Sequence, residues 1–69
     1  MKLEYSDHAR EMMILRRVSE AEVEACLQDH DILYTDKLGN PKYNKHIGER
    51  YIKVVVGKED PSFVITVED

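Results

Sequence analysis

His8 and His46 are the residues of this sequence best suited to moving protons, because an imidazole changes charge between about pH 5 and 8. Arg16, Arg50 and Lys53 are cations suited to holding an anion or stabilising negative charge as it develops. Lys42, Asn44 and Tyr51 lie in the same stretch as His46, Arg50 and Lys53, so residues 42–53 gather most of the candidate groups. Each also has a plain structural role. His8 follows a capping residue and can hydrogen-bond across a helix start. Arg16 stands near a helix C-terminus, where a cation pairs with free carbonyls. Arg50 can solvate a hairpin turn, and Lys42, Lys45 and Lys53 can keep a sheet surface soluble. His30 follows a helix end and suits its dipole, while Tyr43 and Cys26 read as core side chains. His8, His30 and His46 match no common zinc spacing, so neither a metal nor another cofactor is expected.

Periodicity defines the elements that must carry these groups. Ser6 or Asp7 can cap a first helix whose apolar stripe is Ala9, Met12 and Met13. His8 falls at one edge of that stripe and Arg16 near its middle. Ser19 and Glu22 have the spacing of a capping box, with Val18 and Val23 as its hydrophobic staple. A second helix therefore runs from Ser19 to near Asp29, with Val23, Cys26 and Leu27 inward. The period then changes to that of strands. "DILYTD", "KYNKHI", "RYIKVVV" and "SFVITVE" are four of them, separated by "KLGNP", Gly48-Glu49 and "GKEDP". The expected architecture is α+β: two N-terminal helices on one face of a four-stranded antiparallel sheet, in one domain over residues 1–69.

The central hairpin fixes which side chains share a face. A two-residue type II′ turn at Gly48-Glu49 pairs Ile47 with Arg50 and His46 with Tyr51. Continuing inward, it pairs Asn44 with Lys53, Tyr43 with Val54 and Lys42 with Val55. Tyr43, Ile47, Ile52 and Val54 then look toward the helices, and Lys42, Asn44, His46, Tyr51 and Lys53 line the reverse. A one-residue slip would exchange the two sets.

Composition bounds what such a chain can be. Sixty-nine residues build one thin core, for which a partner or a homodimer contact is expected. No apolar run approaches the roughly 18 residues of a membrane span, and "MKLEYSDHAR" lacks a signal-peptide core, so a cytoplasmic protein is expected. One cysteine excludes an internal disulfide. The net charge of -4 argues against indiscriminate nucleic-acid binding. That charge is segregated, however. Residues 19–36 carry six acidic and no basic side chains, whereas 37–58 carry six basic and one acidic.

With these elements placed, the chain resembles domain-of-unknown-function family 4258, which looks related to RelE/ParE-type toxins. Ser6, His8, Ala9, Met13, Arg16, Val18, Ser19, Glu22 and Val23 match the family's opening pattern. "GNPKY", "GERYIKVVV" and "VITV" are similar further on. Met12 departs from the pattern, standing where the family has an arginine four residues after the histidine. The acidic total also departs from the basic character typical of RelE-like ribonucleases.

The resemblance implies a RelE-like fold and a toxin-like, RNA-interacting protein. At its sharpest it implies a metal-independent endoribonuclease, in which a 2′-hydroxyl attacks the neighbouring phosphate. His8 and His46 would then move protons, while Arg16 and Arg50 would steady phosphorane charge. Lys42, Asn44, Tyr51 and Lys53 would hold RNA, the tyrosine by stacking. The alternative is a non-catalytic module, or a domesticated toxin relative, that binds a small protein partner such as an antitoxin. Its acidic helix would then complement a basic surface.

Overall fold

Two serines start the two helices. Ser6 accepts the Ala9 amide at 2.9 Å and opens α1 (Asp7–Arg16). Ser19 opens α2 (Glu20–Gln28) through a complete capping box. Its hydroxyl accepts the Glu22 amide at 3.1 Å, while the Glu22 carboxylate accepts the Ser19 amide at 2.8 Å. Two orphan donors of the helix end are thereby satisfied together. Between the helices, Arg17 adopts a left-handed φ of 57°, which closes α1. This turns Val18 inward, where its amide bonds the Met13 carbonyl at 2.8 Å and its side chain is buried.

The computed structural model describes residues 2–69, and their strands form one sheet in the order β1-β5-β4-β3-β2. The strands are β1 (Glu4–Tyr5), β2 (Ile32–Thr35), β3 (Pro41–Ile47), β4 (Arg50–Val56) and β5 (Phe63–Glu68). The β2–β3, β3–β4 and β4–β5 pairs are antiparallel, with an irregularity at Val55/Val56. The β3–β4 register is the one read from the turn, Ile47 opposite Arg50 through to Lys42 opposite Val55. Gly48 has φ 64° and Glu49 does not have a positive φ, as a type II′ turn requires.

The sheet is nevertheless not the four-stranded antiparallel one expected. It has five strands and is mixed, because β1 lies parallel to β5, with Glu4 beside Phe63 and Tyr5 beside Val64. The Glu4 amide bonds the Ser62 carbonyl at 2.9 Å and the Ser6 amide bonds that of Val64 at 3.0 Å. Two residues are too few to show alternation, and their partners lie far along the chain. Local periodicity therefore carries no trace of this pair.

Both helices cover the same face. α1 rests on β5 and β1, and α2 on β3 and β4. Ala9, Met13, Val18, Val23 and Cys26 meet Ile52, Val54, Val56, Val64 and Val67 in the core. Burying each such aliphatic side chain is worth about 1.5–3 kcal/mol over leaving it exposed. Cys26 is fully buried in α2, its Sγ facing the carbonyls of Tyr43 at 3.5 Å and Ile52 at 3.7 Å. Burial pushes its thiol up to about 11, so it stays neutral and inert near pH 7.

Candidate functional site: the uncovered sheet face

Strand alternation places one set of side chains on the face without helices. The register gives Ile32 and Tyr34 from β2, Lys42, Asn44 and His46 from β3, Tyr51, Lys53 and Val55 from β4, and Thr66 and Glu68 from β5. Cations and rings interleave across it. The Lys42 ammonium lies 5.9 Å from the centre of the Tyr34 ring, and that of Lys53 lies 5.8 Å from Tyr51. His46 stands over Tyr51 with ring centroids 4.4 Å apart and a 39° tilt. At the edge, Asp31 accepts the His46 amide at 2.9 Å.

The electrostatics of this face are mixed. Lys42 reaches across β4 to Glu68 at 3.3 Å. Partial burial alone would lower the Lys42 ammonium, but its bond to Glu68, the carboxylate charge and Tyr34 outweigh that and raise it. Lys42 is thus a charged strut, while among the described residues no acid bridges Lys53. Asn44 lies at the centre with only 1% of its surface exposed, beneath its neighbours, and its amide nitrogen bonds the Lys42 carbonyl at 3.3 Å. It supports this layer from below and offers no edge to a ligand.

The other candidate residues fall elsewhere. His8 is exposed in the first turn of α1, on the helical layer. α1 begins beside Tyr5 and Val64, at the Val56 end of β4, whereas His46 sits opposite Tyr51. Five residues of strand separate those levels by about 16 Å. His8 and His46 also lie on opposite faces of the sheet. They do not converge on one phosphate.

Arg50 points to the helical side and is fully engaged. Its guanidinium donates to the carbonyls of Arg16 at 2.5 Å and Arg17 at 2.9 Å, to Glu22 at 3.4 Å, and to Asp69 at 2.8 and 3.0 Å. It thereby closes the C-terminal end of α1 and ties it to the start of α2. The Arg16 side chain itself is exposed, since the helix stops at that residue. Arg16 and Arg50 are neighbours through backbone, without forming a common anion cradle with either histidine. Among the described residues, no group of three His, Cys, Asp or Glu side chains is placed to hold a metal ion.

Tyr34 is the aromatic ring of this face that is absent from the sequence-derived candidates, as is Glu68, the partner of Lys42. The signal for Tyr34 lay in the "DKLGNP" turn. Asp36 accepts the amides of Asn40 at 2.8 Å and Leu38 at 2.9 Å, and these bonds, the Asn40 amide first, hold its carboxyl below the usual range. The turn sets Tyr34 opposite Lys42.

A second surface lies between α1 and the start of α2. Arg10, Met13, Ile14, Arg17, Val18 and Glu20 line a cleft of about 340 Å³, with Arg10 bridged to Glu20 at 2.7 Å. Ile14, one of these lining residues, is 80% exposed.

Residues 5–69 match the family model described as Domain of unknown function (DUF4258). The chain belongs to this family. Its matched span takes in both helices, β2 to β5 and every residue of the uncovered face. Comparison with curated proteins and with solved structures returned no match. Membership of DUF4258 groups the chain with its relatives without assigning a reaction. No helix among the described residues is long and apolar enough to cross a membrane.

Proposed function

We propose that this DUF4258 protein binds single-stranded RNA on its uncovered sheet face and does not cut it. The observation that carries the reading is the side-by-side placement of Tyr51, His46 and Lys53 on a face without helices. Rings on a flat sheet stack bases regardless of sequence, and a neighbouring ammonium meets the phosphate between them. The likeness of the sequence to RelE/ParE-type toxins favours RNA as the partner class. Cleavage by a histidine pair lacks support, because His8 and His46 occupy different layers and Arg50 spends its donors on backbone and carboxylates.

Fluorescence anisotropy with a labelled single-stranded oligoribonucleotide tests this directly. Tyr51→Ala should weaken binding roughly 5- to 100-fold, the range for losing one stacking platform. Lys53→Ala should weaken it less and flatten the salt dependence by about 0.7 of a log–log unit. The RNA should remain intact throughout. Absence of binding, or binding indifferent to both substitutions, would remove the reading.

The cleft between the helices favours a second reading, that of a docking module for a small protein partner. Ile14 supplies an exposed apolar side chain in its wall, and Glu20 and Arg10 supply polar fixing points. A purified antitoxin-like partner should then lose affinity with Ile14→Lys and retain it with Tyr51→Ala.

A further inference from the structure

β2 is an open edge of the sheet, with β3 as its one strand neighbour among the described residues. Ile32, Leu33 and Tyr34 are 50%, 49% and 45% exposed. The strand Ile-Leu-Tyr-Thr contains neither a proline nor a charge, the devices that usually protect an edge from pairing. Its free hydrogen-bonding groups can be assigned. Pro41 has no amide proton and stands opposite Thr35, so that pair cannot be the hydrogen-bonded kind. The next residue agrees, since the Asp36 amide bonds the Asn40 carbonyl at 2.9 Å. Alternation then turns the amides and carbonyls of Leu33 and Thr35 away from the sheet.

We propose that two copies of this chain pair antiparallel through β2, about a twofold axis at Tyr34, into one continuous ten-stranded sheet. This register sets Leu33 of each copy opposite Thr35 of the other and joins all the outward groups of both residues. Tyr34 faces Tyr34 across the axis. Asp31 and Lys37, which flank the strand just outside its two ends, come level with each other across the pair, so the segment carries its own complementary charges. Shifting the register by one places inward groups against outward ones and sets Asp31 against Asp36. Centring it on Leu33 sets Asp31 against the uncharged Thr35 and moves Lys37 level with Asp29, beyond the strand, at the end of α2. A peptide of unrelated sequence would have no reason to supply the Asp31 and Lys37 counterparts, whereas a second copy must.

The pairing also closes. The opposite edge, β1, is two residues long and offers too little ladder to continue a chain of copies. A twofold contact through β2 therefore ends at two. With four residues on each side the interface is small, which sets the affinity in the weak, micromolar class. The uncovered faces of the two copies become contiguous at the Tyr34 pair, although the dimer stands independently of what that face binds.

Sedimentation equilibrium from about 10 µM to about 1 mM should show the mass rising toward that of a dimer. Tyr34→Cys should form a disulfide across the axis under oxidised glutathione, because a non-hydrogen-bonded antiparallel pair brings α-carbons to about 4.5 Å. Ile32→Cys is the control. In this register its two copies lie four residues apart, about 13 Å, and should not join. Cys26 is fully buried and contributes no background. Asp31→Lys should weaken association roughly fivefold, and adding Lys37→Asp should restore it. The restoration separates the intermolecular pair from loss of Asp31's own bond to the His46 amide. A monomer throughout the series would overturn the proposal, as would Ile32→Cys joining as readily as Tyr34→Cys.

Discussion

Arg50 illustrates how a residue chosen for chemistry can be consumed by architecture. One guanidinium satisfies two free carbonyls of α1, reaches the capping-box carboxylate of α2 and holds Asp69. Those α1 carbonyls lack helical partners by the geometry of any helix end. Arg50→Ala should therefore cost about 1–2 kcal/mol, the worth of charge-assisted bonds discounted for a side chain still partly open to water. Arg50→Lys should recover little of it, since an ammonium lacks the fork that reaches both carbonyls. Urea unfolding measures both, while RNA affinity should stay unchanged. Nothing in the sequence could distinguish this staple from an anion-binding arginine. The distinction depends on Arg16 and Arg17, which lie 33 to 34 residues away along the chain. Asn44 was equally opaque, because alternation assigns a face without revealing how deeply its neighbours cover it.

At the scale of elements, legibility followed the range of the interaction. The capping box from Ser19 to Glu22 spans four residues, and the hairpin register rests on a two-residue turn, so both are readable from the local sequence. β1 was not, because its parallel partner enters only after two helices and three other strands have been placed. Helical spacing sets Arg16 near the middle of an apolar stripe, and the resolution is local: α1 stops there and Arg17 turns left-handed. That turn has its own consequence. A non-glycine residue with φ 57° carries a steric cost of about 1 kcal/mol, which glycine avoids. Arg17→Gly should thus raise stability by up to about 1 kcal/mol, read as a higher urea midpoint with an unchanged slope. A lowered midpoint would mean that the Arg17 side chain contributes more than its backbone costs.

Across the whole molecule, three buried or half-buried groups share one direction. Cys26 is pushed up to about 11, chiefly by burial. Tyr5 is raised first by burial and then by Glu20 and Glu24, and Lys42 is raised by Glu68 against its desolvation. A folded value above the unfolded one gives stability that is whole at lower pH and lost as pH climbs through the folded value. Stability should therefore fall on the alkaline side, with the Cys26 contribution lost between about pH 9 and about pH 11. Urea midpoints across that window should drop less steeply for Cys26→Ala, even though that variant starts lower for want of packing. The sheet order has a further effect on how such a chain is made. Ser6 bonds the Ile65 carbonyl at 2.6 Å, and α1 rests mainly on β5, so the first helix finds its seat only on the last strand. On a translating ribosome, Ala9 and Met13 must then wait as sticky, unshielded groups until β5 emerges. Nascent chains whose emerged part stops short of Phe63 should consequently be held by chaperones, and those whose emerged part reaches past Glu68 should be released.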